Sequence, residues 1–284
     1  MSTKIRYPKQ AGSFYAGSRE SLKRQIDECF THILGPGEFP ELHSEGSRQI
    51  VGLVCPHAGY TYSGPVAANA YYSLSQDGSV DTFVILGPNH QGVGSNVSIM
   101  DKGKWRTPLG DAEIDAFLAE EIIRKSEIVD IDETAHSFEH SIEVQLPFLQ
   151  YVYGSSFKFV PICFLMQDLQ TCMEVGESLA ETIKDRNAVI IASTDLTHYE
   201  SQKIAAEKDR LVIDAITKMD ADLLYSVLEN RSISACGYGP VATLLTAAKK
   251  LNAEKVQLLK YATSGDVSGD FSSVVGYASL KLTK

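Results

Sequence analysis

Apolar residues along this chain fall into short unbroken runs, each closed by Gly, Pro, Asn or Asp. "IVGLVCP" (50–56), "TFVILGP" (82–88), "FKFVPIC" (157–163) and "AVIIAST" (188–194) have strand length and no polar alternation. That is the pattern of strands covered on both faces. Between them the periodicity becomes helical. A first amphipathic helix precedes residue 34, and further helices are predicted over 65–75, 114–125, 141–151, 172–185, 205–219, 221–230 and 240–251. Two more strands, "VQLLKYAT" (256–263) and "SSVVGYASLKL" (272–282), follow each other without a helix, which predicts an antiparallel edge. The Gly- and Pro-rich stretch at 34–49 reads as a surface loop. Strands alternating with helices predict a three-layer α/β/α fold with a mostly parallel, mixed central sheet. No repeat or linker divides the chain, so residues 1–284 are taken as a single domain.

Charge narrows the partners. The formal net charge is −10, from 36 acidic against 26 basic residues. An acidic surface argues against nucleic acid or an anionic membrane, since both select basic patches. No apolar run reaches the ~18 residues that cross a bilayer. The opening "MSTKIRYPKQAGSFYAGS" lacks the apolar core of a secretory signal. Cys29, Cys55, Cys163, Cys172 and Cys236 are irregularly spaced with no CxxC pair, which predicts a reducing cytoplasm.

Candidate chemistry collects where strands end. "VGLVCPHAGYTYSG", "TFVILGPNHQG" and "AVIIASTDLTHYE" each join an apolar run to a polar turn, carrying His57, His90, and Asp195 with His198. In a parallel sheet the carboxyl ends of the strands share one rim, where ligands gather. The step from His57 to His90 suits one βαβ crossover, so the two imidazoles are expected to emerge side by side. Tyr60 and Tyr62 either offer phenolic donors to a substrate or pack on the next helix. Asp195 orients an imidazole, is itself a ligand, or caps the following helix. Cys236, in "ISACGYGP", opens a helix whose positive end favours thiolate, the form that binds metal. Finally, "HSFEH" fits H-x-x-E-H. On a helix it would pair His136 and His140 on one face with Glu139 as general base, the arrangement of an inverted zinc peptidase. No downstream segment supplies that enzyme's third ligand.

These segments resemble the Memo family (mediator of ErbB2-driven cell motility), whose fold is shared with class III extradiol dioxygenases of the LigB type. The resemblance rests on "AGSFY", "CPHAGYTYSGPVAA", "ILGPNH", "WRTPLG", "EHSIEVQLPFLQ", "STDLTHY" and "CGYGP", and spans nearly the whole chain. It implies a LigB-like fold, with His57 and His90 matching the two histidine ligands of a ferrous site. His198 matches the catalytic acid/base. His140 and Glu143, which belong to the family pattern, are implied beside the cleft. Cys236 stands at the third ligand position, where the dioxygenases have glutamate. A thiolate is a softer donor, so shared fold and histidines do not by themselves carry over ring cleavage. A His57–His90–Asp195 set is the alternative. Phe14-Tyr15 replaces the tryptophan-tyrosine of animal members, a departure at the position tied to their peptide binding. The expected cofactor is iron(II), with copper or zinc as alternatives, and the expected partner is a small molecule or peptide in the cleft. The function expected is that of a metal-dependent oxidoreductase. The alternative is a non-enzymatic binding module reusing the same cleft.

Overall fold

The unbroken apolar runs become the central strands of one sheet. The computed structural model describes residues 4–43 and 48–284. In chain order the elements begin with β1 (Ile5–Arg6), α1 (Arg19–Thr31), β2 (Ile50–Cys55), α2 (Tyr60–Ser75) and β3 (Thr82–Pro88). Then come β4 (Val97–Ile99), β5 (Lys104–Thr107), β6 (Gly110–Ile114), α3 (Ala116–Lys125) and β7 (Val129–Ile131). A 3-10 turn, Glu143–Gln145, runs into α4 (Leu146–Tyr153), followed by β8 (Lys158–Phe164), α5 (Leu169–Ile183), β9 (Ala188–Ser193) and β10 (His198–Glu200). The chain continues with α6 (Gln202–Thr217), α7 (Ala221–Arg231), α8 (Tyr238–Lys250), β11 (Lys255–Thr263), the one-turn α9 (Gly265–Ser268) and β12 (Val274–Thr283).

The main sheet runs β1-β5-β6-β8-β3-β9-β2-β12-β10. Its centre, β6-β8-β3-β9-β2, is parallel throughout. Antiparallel pairs lie outside it: β5 with β6, β4 with β8, and β12 with β2, β10 and β11. The closing pair is antiparallel as expected, but β12 is no edge, since it enters the sheet beside β2. Nor are β2 and β3 neighbours; β9 lies between them.

Strand residues alternate between two cores, as the pleat requires. Phe83 and Ile85 of β3 join the core that holds Leu22, Ile26 and Phe30 of α1 and Phe148 of α4, while Val84 and Leu86 join the core that holds α5 and α8 on the opposite face. The result is the three-layer arrangement the patterning predicts. Among the described residues no helix is long and apolar enough to cross a membrane.

Three local departures have identifiable causes. α2 begins at Tyr60, five residues ahead of the expected start, because the Tyr60 N–H donates to the Phe14 carbonyl at 2.7 Å, a partner outside the helix. Pro65 therefore sits inside α2 rather than at its start. The helix predicted over 141–151 is instead a 3-10 turn and a shorter α4. The one predicted over 114–125 gives its first residue to β6 and is capped by Asp115, which accepts from the Leu118 N–H at 3.0 Å. Of the loop expected at 34–49, residues 44–47 lie outside the described residues.

Candidate metal centre

Strand β2 ends at Cys55 and hands the chain to His57, β3 ends at Pro88 and delivers His90, and β9 between them ends at Ser193. All three termini lie on the carboxyl rim of the parallel centre. The His57 and His90 rings stand 5.3 Å apart between centroids, nearly perpendicular. A third imidazole, His140, lies 5.3 Å from His57 and 4.5 Å from His90, stacked on the latter. Cys236, on the turn before α8, brings its sulfur to 3.1 Å from His57 Nε2. Among the described residues, the donor atoms of His57, His90 and Cys236 all lie within 4.8 Å of one another. His57 is buried, Cys236 half-buried and His90 exposed, so the cluster opens to solvent on the His90 side.

Hydrogen bonding fixes which ring nitrogens are free. Ser193 Oγ donates its only hydrogen to the Ser141 carbonyl at 2.7 Å and accepts from Gln145 Nε2 at 2.7 Å. Its remaining contact, His57 Nδ1 at 2.8 Å, must therefore be a donor to it. His57 Nε2 is left with a lone pair. His90 is set the same way by Glu139: Nδ1–H donates to Oε1 at 3.0 Å and the backbone N–H to Oε2 at 2.6 Å. The same Oε1 receives the backbone N–H groups of His140 and Ser141, at 2.8 and 2.9 Å, and faces His140 Nδ1 at 3.2 Å. Burial alone would raise the Glu139 carboxyl, but hydrogen bonds from His140 and His90 overcome it and hold it well below the usual carboxylate range. Burial, then the neighbouring His140 and His90, keep His57 well below an ordinary imidazole. A neutral His57 with its Nε2 lone pair free, and a His90 ring oriented through Nδ1 by a buried acceptor, are what imidazole ligation of a metal requires.

Cys236 differs from the sequence expectation. Burial raises its thiol, and the Asp195 carboxylate raises it further, so the helix terminus does not produce a thiolate here. The sulfur lies against the His57 Nε2 lone pair, with the Asp195 carbonyl 3.6 Å away as a second acceptor for its hydrogen, and a bound cation would draw off that proton. Asp195 is likewise not in the donor cluster. Its Oδ1 accepts the His57 backbone N–H at 2.8 Å, and its own N–H donates to Cys236 Sγ at 3.2 Å. Asp195 therefore ties the two ligand turns together through the backbone, and the helix that follows is begun by Ser201 instead. His198 is half-buried; its Nδ1–H donates to the Ser234 carbonyl at 2.9 Å, leaving Nε2 as the basic nitrogen.

Other candidates are dispersed. The Tyr60 ring is buried and its hydroxyl donates to the Val144 carbonyl at 2.6 Å, so it serves packing, whereas Tyr62 is 43% exposed. Glu143 is buried away from the imidazoles. It accepts from Arg6 Nη1 at 2.6 Å, the Tyr15 hydroxyl at 2.7 Å and the Gln10 N–H at 2.8 Å, binding the N-terminal segment to the fold. "HSFEH" is not helical: His136 packs edge-on against Trp105 and bonds through Nε2 to the Ser98 carbonyl, while His140 faces the cluster. The peptidase arrangement is absent. Sequence reasoning missed Ser193, Gln145 and Arg6, and assigned Glu139 the wrong task. The adjacency of Glu139 to His140 was the one available signal.

The family described as Memo-like protein matches residues 6–281. The chain belongs to the Memo family. Its relatives include the MEMO1 family protein of Methanocaldococcus jannaschii, 54% identical over 97% of this chain and 98% of that one. That of Methanopyrus kandleri is 53% identical, again over 97% of this chain and 98% of the relative. The Memo fold also resembles the crystal structure of an uncharacterized protein from Escherichia coli K12, with a TM-score of 0.58 and 14% identity, covering 82% of this chain and 99% of that chain. At that identity the likeness concerns fold alone.

Proposed function

We propose that this Memo-family protein holds one transition-metal ion on His57, His90 and Cys236 and works as a metal-dependent oxidoreductase, with iron(II) the preferred ion and copper or zinc the alternatives. What carries the reading is the pair of Nε2 lone pairs, each freed by a buried acceptor, converging on one sulfur with all donors within 4.8 Å. Two imidazoles and a thiolate fit a first-row metal, and three protein donors leave coordination positions for a ligand, unlike a closed four-donor structural zinc site. When bound, the ion would supply electron transfer and polarisation of a coordinated oxygen.

The chain's own residues would do the rest. Ser193 and Glu139 hold the two ligand rings in one tautomer. Asp195 keeps the His57 and Cys236 turns in register. His198, its Nδ1 engaged by the Ser234 carbonyl, would exchange a proton with a bound small molecule or peptide group through Nε2. Five free thiols favour a reducing compartment, the cytoplasm. Metal analysis after anaerobic purification tests the site: His57→Ala and His90→Ala should both lose the metal, and full occupancy in both would refute it. Oxygen uptake by the ferrous protein with a panel of catechols, dependent on His198, tests the chemistry. A fully loaded site with no uptake would leave ligand binding as the function.

A further inference from the structure

Among the described residues, Tyr199, Met219, Ser232 and Asn252 are the non-glycine positions with positive φ. Met219, Ser232 and Asn252 each follow or close a helix, α6, α7 and α8, where a left-handed residue is the usual terminator. Tyr199 has no such reason. It lies within β10, at the register shift between His198 and Glu200 opposite β12, with φ 61°. Its side chain is 77% exposed, and its ring lies 5.7 Å from that of His198, tilted edge-on. A large ring in this conformation is strained, and glycine or asparagine would occupy it at lower cost. Strain retained beside a candidate site points to a use for the side chain.

The surroundings supply one. Tyr62 is also exposed, and the buried Tyr277 phenol lies near Asp195, Tyr62 and Tyr199 together, each of which adds to the raising effect of its burial. The bulge thus leaves the Tyr199 ring exposed next to the His198 imidazole, with the exposed Tyr62 also in the neighbourhood of Tyr277. We infer that Tyr199 is a ligand-binding residue of this cleft, offering its ring to a ligand that carries an aromatic ring and setting that ring beside His198. The inference rests on the proposed function only in taking His198 to face the ligand. The ring can belong to a free phenol or catechol, or to an aromatic residue of a peptide.

Metal-free full-length protein is titrated with 4-nitrocatechol and, separately, with the tripeptide Gly-Tyr-Gly, and binding is read by saturation-transfer NMR. The proposal expects wild type to bind one probe and Tyr199→Phe to keep that affinity. Tyr199→Leu and Tyr199→Gly should bind roughly three- to ten-fold more weakly, the scale of one aromatic pair. Tyr199→Gly should at the same time unfold at a higher temperature, because it relieves the backbone. The probe that binds identifies the source of the ring. Failure of wild type to bind either probe at millimolar concentration overturns the proposal, as do Leu and Gly variants that bind like wild type. A lowered unfolding temperature in Tyr199→Gly also overturns it, by making the ring a structural support. Since no metal is present, the metal content of His57→Ala bears on the proposed function alone.

Discussion

Replacing Glu139 with glutamine removes one charge from the centre of the site and almost no volume. In the folded protein this carboxylate, 1% exposed, accepts from His90 Nδ1–H and from the backbone N–H groups of His90, His140 and Ser141. A glutamine keeps one acceptor oxygen and turns an NH2 group toward one of those donors. Hydrogen bonds to a charged group each contribute about 1.5–3 kcal/mol, and a buried donor left facing a donor costs about 1–3 kcal/mol. His90 also loses the partner that fixes its tautomer, a loss worth about 10–100-fold in metal affinity. That range equals roughly 1.4–2.7 kcal/mol of binding free energy. Two readings follow: urea denaturation of the metal-free variant should show a stability loss of about 2–3 kcal/mol. Anaerobic competition for zinc(II) or cobalt(II) against a chromophoric chelator should show affinity lowered by at least about tenfold, yet short of the complete loss expected for His90→Ala. If Glu139→Gln binds metal as wild type does while His90→Ala does not, the carboxylate does not orient the ligand and the reasoning fails.

Two further predictions concern the same neighbourhood. Burial, aided by the Arg6 guanidinium, pushes His136 down to about 4, so the folded protein keeps it neutral where the unfolded chain already takes up a proton. Its contribution is intact above pH 6.5 and is lost as pH falls to about 4, a loss of about 3 kcal/mol; denaturant titrations from pH 7 to 4 should show a shallower decline in His136→Phe, and parallel curves would refute this. A β-carbon on Gly237 would meet the Ser193 carbonyl at 2.2 Å and Thr194 Cβ at 2.7 Å, so Gly237→Ala must displace the turn that carries Cys236. The chelator competition should register at least about tenfold weaker metal binding and denaturation a cost of about 1–3 kcal/mol, whereas unchanged affinity would show that the turn does not position the sulfur.

The central strands were legible because burial on both faces leaves a continuous apolar run that nothing else of that length imitates. Strands β1, β4, β5, β6, β7 and β10 were not, since each is two to five residues long and owes its form to pairing partners remote in sequence. The rim position of His57, His90, Asp195 and His198 was readable from strand ends. How the rings are held was not, because Ser193, Gln145 and Glu139 act across the fold. "HSFEH" misled for a specific reason. Arg6, far upstream, takes the His136 carbonyl through Nε at 2.6 Å and the Glu139 carbonyl through Nη2 at 2.8 Å. The His140 N–H, which a helix would spend on the His136 carbonyl, goes instead to the Glu139 side chain at 2.8 Å. The thiolate expectation for Cys236 failed because burial of the sulfur, and then the Asp195 carboxyl beside it, outweigh a helix end.

The two nitrogen donors and the sulfur donor are anchored by different kinds of structure. Each imidazole leaves a strand of the parallel centre and is wired to a buried serine or glutamate, so neither can be exchanged without disturbing the sheet rim. The sulfur stands on a turn outside the sheet, held to the rim by the bond from the Cys236 backbone N–H to the Asp195 carbonyl at 3.2 Å, which does not depend on what side chain carries the donor. Hardness is thus a one-position setting on an otherwise invariant mount. Swapping Cys236 for a carboxylate would retune which ions the protein prefers while its scaffold stays as it is.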